Sequence, residues 1–104
     1  GYSLSCGGPI VFPNSGSLVI TPVAPHNLSV RPIVVPDTSV ISFEIEGRAD
    51  SFLCTLDSRF EAVTAEDKLT VRKAEVVTRF IQLHDYSFLR TLHDKLTWGK
   101  DSRN

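Results

Sequence analysis

The chain has 104 residues and a mass of 11.5 kDa, the size of one ordinary domain. Eleven Lys and Arg against twelve Asp and Glu leave a net charge of −1, which excludes a strongly basic nucleic-acid binder and an acidic tail. Hydrophobic residues at 41% suit a globular chain, and no apolar run approaches the ~18–20 residues that span a bilayer, so no transmembrane helix is expected.

The first third is punctuated by Gly7-Gly8-Pro9, Pro13-Asn14-Ser15-Gly16, Pro22, Pro25, Pro32 and Pro36, residues of turns, edges and strand starts. Between them only short, apolar, β-branched strands fit: Ile10–Phe12, Ser17–Thr21 and Ile33–Val35. From Thr38 the pattern alternates. Ile41, Phe43 and Ile45 share one face and Ser42, Glu44 and Glu46 the other, as in a strand with one wet side. Gly47-Arg48-Ala49-Asp50 reads as a hairpin connection into Ser51–Leu56, where Phe52, Cys54 and Leu56 lie on one side. Asp57-Ser58 is a second turn, followed by strands at Phe60–Thr64, Lys68–Lys73 and a longer, less regular one at Glu75–Leu83. The strands recur at the spacing of an antiparallel sandwich or barrel. Beyond Asp85, a plausible N-cap, Phe88, Leu89, Leu92 and Leu96 recur at helical spacing, Arg90 and Asp94 sit one turn apart, and Gly99 reads as the helix stop. The expected fold is mainly β: an antiparallel β-sandwich of short strands closed by one C-terminal α-helix of about three turns.

Taken alone, the residues offer little catalysis. His26, His84 and His93 lack the i, i+4 pairing of a metal site and read as solvated or core histidines. Ser5 before Gly7-Gly8 lacks the G-x-S-x-G of a nucleophile elbow, and the glycines form neither a P-loop nor a dinucleotide fingerprint. Cys6 and Cys54 are too few for a disulfide framework and have no CxxC partner for zinc; they read as two reduced, buried thiols of a cytoplasmic protein, with a Cys6–Cys54 bridge as the alternative. Methionine is absent, the chain opens on Gly1, and no charged, apolar leader follows, so the sequence reads as part of a longer protein without a signal peptide.

Four ordered runs change this picture. Gly1-Tyr2-Ser3-Leu4-Ser5-Cys6-Gly7-Gly8-Pro9-Ile10 is similar to the A-Y-S-L-S-A-G-G-P-I of bacterial NAD kinases, where it follows T-P-T-G-S-T. Pro25-His26-Asn27-Leu28-Ser29-Val30-Arg31-Pro32 resembles that family's P-H-T-L-S-x-R-P. Thr55-Leu56-Asp57-Ser58-Arg59 resembles its D-G-Q or D-S-Q turn, and Asp85-Tyr86-Ser87-Phe88 with Leu96-Thr97-Trp98-Gly99 its D-Y-S-F…L-x-W-G. The chain thus resembles, over nearly its whole length, the β-rich C-terminal domain of an NAD kinase, residues 1–104 forming that domain and the N-terminal α/β catalytic domain being absent.

The resemblance implies an enzyme that moves a phosphoryl group from ATP, or polyphosphate, to the adenosine-ribose 2′-hydroxyl of NAD, giving NADP. It places Gly1, Tyr2, Ser3, Leu4, Ser5, Ala24 and Arg59 against NAD. It places no catalytic residue and no metal ligand in this chain, because the aspartate of the family's G-G-D-G motif lies in the missing domain. Mg²⁺ would accompany ATP in the full-length enzyme, with none held by this piece alone. Partners would be NAD, ATP or polyphosphate and further copies of the chain, with no nucleic acid and no membrane. Tyr2 suits the role chemically, since an aromatic face stacks on a base or nicotinamide ring, and Ser5 offers a hydroxyl. Arg59 departs from the family's usual glutamine: it only donates, and it carries charge that suits a phosphate. Two readings stand beside this one, a lipid-kinase-like domain of the diacylglycerol or sphingosine type and a free-standing β-sandwich binding module.

Overall fold

Short β-branched runs between prolines and turns give short strands, and the computed structural model, which describes residues 1–97, contains six of them. The predicted helix stop at Gly99 and the Trp98-Gly99 end of the last motif lie outside the described residues. The chain divides into two compact units. One holds Gly1–Val35 and the chain from Glu75 on; the other is Pro36–Ala74.

In the first unit a single helical turn, α1 (Tyr2–Ser5), precedes β1 (Ser17–Ile20), which pairs with β2 (Ile33–Pro36). The unit ends in α2 (Phe88–Lys95). Ser87, two residues beyond the expected Asp85, caps α2: its hydroxyl accepts from the Arg90 amide at 3.4 Å, and its carbonyl accepts from the Thr91 hydroxyl at 3.0 Å. The helix has eight residues, about two turns, where three were expected. Two of the four residues of its apolar stripe face the unit, while Leu89 and Leu96 are exposed. Leu92 is buried and Phe88 half-buried, with the Phe88 ring edge-on to Phe12 at 4.9 Å between centroids.

In the second unit β3 (Ile41–Phe43) pairs antiparallel with β6 (Leu69–Val71) in the register Ile41–Val71, Ser42–Thr70, Phe43–Leu69. β4 (Phe52–Leu56) and β5 (Arg59–Val63) form an antiparallel hairpin, Leu56 opposite Arg59. The alternation holds in part: Ile41, Phe52 and Cys54 are half-buried and Ser42, Leu53 and Thr55 exposed, but Phe43 and Leu56, expected on the inner faces, are exposed as well. A 2.7 Å ion pair from Lys73 to Asp37 ties the two ends of this unit together. The mainly antiparallel β architecture with a C-terminal helix is therefore the one adopted.

Three expectations need correction. Ile10–Phe12 forms no strand; it is irregular chain whose side chains cover unit one, with Phe12 against Phe88. Glu75–Leu83 is neither strand nor helix, and Val76, Phe80, Ile81 and Leu83 are each more than four-fifths exposed. Apolar β-formers without a neighbouring strand have no ladder to complete, and propensity alone does not make a strand. Gly47–Asp50 is no hairpin, because β3 pairs with β6 and β4 with β5, so these residues join two different ladders. Gly47 has a packing role: a β-carbon there would stand 2.6 Å from the Phe52 ring.

The Asp57-Ser58 turn is as expected, and Asp57 takes a φ of +52°. Such a conformation strains an L-residue other than Asn, Asp or Gly, and glycine adopts it freely. Asp57→Gly is therefore expected to keep the hairpin and change stability by no more than about 1 kcal/mol, whereas Asp57→Val should cost more. Thermal melts of the two variants check the ranking.

Candidate functional site

The resemblance singles out Gly1 to Ser5, and the structure joins them in α1. A one-turn helix cannot hold itself, since nucleation fixes several dihedrals for few bonds. Here the stop is built in. The Ser5 amide donates to the Gly1 carbonyl and the Cys6 amide to the Tyr2 carbonyl, both at 3.0 Å. The Gly7 amide then donates to Leu4 at 3.1 Å and the Gly8 amide to Ser3 at 2.6 Å, with Gly7 at φ +82°. These two reversed bonds around a left-handed glycine form a Schellman stop. Gly8 has no room for a side chain, because a β-carbon would sit 2.7 Å from the Ser3 carbonyl oxygen. The Gly7-Gly8 pair thus turns the backbone sharply back under α1.

The turn divides its side chains. Tyr2 stands out with 92% of its surface exposed, its ring face open. Ser5 is exposed, and its hydroxyl donates to the Gly1 carbonyl at 3.1 Å, which leaves its lone pairs open to a donor from outside. Ser3 is half-buried, its hydroxyl 2.7 Å from that of Thr21. Leu4 lies half-exposed over an apolar groove of about 330 Å³ between α1, Pro9–Val11, β1 and α2.

A second concavity, about 230 Å³, is lined by Tyr2, Ser3, Cys6, Val19, Thr21 and Val23. Sites that enclose a whole ligand usually run ~300–1,000 Å³, so this one suits part of a ligand such as a single ring. Ala24 follows Val23 directly and is exposed, at a φ of +47°. A left-handed alanine costs roughly 1–2 kcal/mol, and strain of this kind gathers where loops are shaped for binding. The following loop is braced internally. The Ser29 amide and hydroxyl donate to Asn27 Oδ1 at 2.9 and 2.7 Å, and Arg31 Nη1 donates to the Leu28 carbonyl at 2.6 Å. His26 in this loop is exposed.

The structure thus brings Gly1, Tyr2, Ser3, Leu4 and Ser5 onto one turn and puts Ala24 in the loop leaving β1 beside the same concavity. Arg59 belongs to the other unit, where it opens β5 at the exit of the Asp57-Ser58 turn with its side chain exposed. Thr21 is the residue that sequence reasoning passed over. Its signal was weak: one β-branched hydroxyl residue at a strand end, fixed in place by Pro22. Cys6 and Cys54 are both free thiols and half-buried. Among the described residues no three His, Cys, Asp or Glu side chains cluster as they would to hold a metal ion. Nor, among them, is any helix long and apolar enough to cross a membrane.

Comparison with known proteins places the sequence in a family. Residues 1–83 match the family model of the ATP-NAD kinase C-terminal domain. The chain is 53% identical over its whole length to an NAD kinase of Cytophaga hutchinsonii, covering 36% of that protein. It is 49% identical, again over its whole length, to an NAD kinase of Flavobacterium psychrophilum, and 43% identical over 98% of its length to one of Bacteroides fragilis, covering 35% of each. The chain spans about a third of the length of these curated relatives. It belongs to the ATP-NAD kinase C-terminal domain family.

Proposed function

We propose that this chain is the NAD-binding part of an NAD kinase that uses ATP or polyphosphate to phosphorylate the adenosine-ribose 2′-hydroxyl of NAD. The observation that carries the proposal is the position of Tyr2: an open aromatic face on a rigidly stopped turn, beside a concavity of one ring's size. The relatives' activity, that of NAD kinases, supplies the reaction class.

In this reading Tyr2 stacks on a base or the nicotinamide ring. Ser5, whose proton is committed to Gly1, accepts a hydrogen bond from a ribose hydroxyl or the carboxamide. Gly1, Ser3 and Leu4 hold the wall, and Ala24 presents backbone to the ligand. Arg59 offers charge to a phosphate. In the reaction the 2′-oxygen attacks the terminal phosphorus of the donor, the bond to the bridging oxygen breaks, and the 2′-proton passes to a base. By the resemblance that base is the G-G-D-G aspartate outside this chain. Transfer of this kind depends mainly on positioning and electrostatics, so a binding wall strongly affects the rate. Mg²⁺ belongs with ATP and the domain that holds it. Work in the cytoplasm and assembly into a homo-oligomer complete the proposal; the exposed Val76, Phe80, Ile81 and Leu83 support burial against further protein.

Two assays test it. The 104-residue chain with NAD, ATP and Mg²⁺ in a coupled assay should give no turnover above the blank, and measurable turnover would refute the division of labour. In the full-length enzyme Ser5→Ala should raise the KM for NAD by about two- to tenfold, the effect of one ordinary hydrogen bond. An unchanged KM would remove Ser5 from the site.

A further inference from the structure

The NAD wall stands on a helix of four residues, and such a helix needs an anchor from outside itself. Its backbone is stopped by Gly7 and Gly8, but those bonds are local and travel with the turn. Among the described residues one side-chain hydrogen bond links α1 to the chain beyond β1, the 2.7 Å contact between the Ser3 and Thr21 hydroxyls across 18 positions. Thr21 is suited to be the fixed end. It follows directly on Ile20, the last residue of β1, which pairs with β2. Its branched side chain is stiff at χ1, and Pro22 fixes the next φ. Both residues line the concavity that Tyr2 borders. The Gly8 backbone, packed under Ser3 with no space for a β-carbon, leaves Ser3 little freedom to find another partner.

We propose that Thr21 is a positioning residue for NAD: its hydroxyl, bonded to Ser3, sets the orientation of the turn that presents Tyr2 and Ser5. This rests on the NAD-binding reading of α1. Thr21 itself need not touch the ligand. Losing its hydroxyl frees the turn to rotate, and NAD must then restore the productive orientation out of its own binding energy. The donor site, carried elsewhere, is untouched.

The test compares Thr21→Val, Thr21→Ser and Tyr2→Ala in the full-length enzyme. Thr21→Val keeps shape and branching but removes the hydroxyl; Thr21→Ser keeps the hydroxyl. Thr21→Val is expected to raise the KM for NAD by about two- to tenfold, the worth of one hydrogen bond, with kcat and the KM for ATP within roughly twofold. Thr21→Ser should restore the KM for NAD. Amide exchange over residues 1–8 should quicken in Thr21→Val by a comparable factor and not in Thr21→Ser. If Tyr2→Ala raises the KM for NAD while Thr21→Val leaves both that KM and the exchange unchanged, the positioning role is wrong and the NAD reading stands. If Thr21→Val weakens NAD and ATP equally with a lowered Tm that Thr21→Ser shares, the residue is merely structural and the inference falls. If Tyr2→Ala leaves the KM for NAD unchanged in a folded enzyme, the NAD reading fails and this inference with it.

Discussion

Replacing Tyr2 by alanine in the full-length protein is expected to raise the KM for NAD by about tenfold, since stacking one base on an aromatic ring is worth roughly 1–3 kcal/mol. The ring is 92% exposed on this chain, so its removal leaves no internal void, and the melting temperature should stay close to that of the parent. Tyr2→Phe keeps the face and should have a much smaller effect. The KM for ATP should not move with either change. A Tyr2→Ala enzyme that loses affinity for both substrates together with thermal stability would show instead that the ring packs a junction. Both KM values and one melting curve on a single preparation separate the cases.

Gly8→Ala should be the more damaging change. The added β-carbon meets the Ser3 hydroxyl, which could turn aside only by giving up its bond to Thr21, and the Ser3 carbonyl oxygen at 2.7 Å, the backbone oxygen that also accepts the Gly8 amide. Either the Schellman stop opens or α1 shifts as a body. Overpacking of this kind costs about 1–3 kcal/mol, and here the cost falls on the turn that carries the proposed NAD contacts. The expected result is a lower melting temperature together with a rise in the KM for NAD at least as large as that of Tyr2→Ala. Gly7→Ala has open space around its β-carbon but must hold φ +82°, so it should cost about 1 kcal/mol through backbone strain alone. Circular dichroism melts and NAD kinetics on the two variants check the order.

How much of this was legible in the sequence differs from element to element. Strands with an alternating face were, in part: Ile41, Phe52 and Cys54 are half-buried as their spacing demands, whereas Phe43 and Leu56, near the ends of their short strands, are exposed. The helix was placed by Phe88, Leu92 and Leu96, though its cap fell on Ser87, whose hydroxyl accepts from the amide of Arg90 three residues on. Glu75–Leu83 misled because apolar content was taken as a strand, while a strand exists only with a neighbour to bond, and none pairs with it among the described residues. Ile10–Phe12 misled for the same reason. The α1 turn was invisible to periodicity, since four residues are too few to show a period, yet its stop was written in Gly7-Gly8.

The candidate site was legible only through likeness. Tyr2 and Ser5 are ordinary residues by composition, and it is the run they sit in that marks them. Thr21 could not be found from sequence, because its significance lies in a contact across 18 positions that only the fold creates. Ala24 carried no local mark, and its left-handed backbone is a structural fact that an alanine does not advertise.

The central claim, that α1 is a wall of the NAD site, is tested most directly by a crystal structure of the full-length protein with NAD bound. The account predicts a planar ring of NAD against the Tyr2 face at van der Waals distance, about 3.5–4.5 Å, with the Ser5 hydroxyl accepting a hydrogen bond from the ligand. NAD bound at full occupancy with no atom in contact with Tyr2 or Ser5 would contradict it.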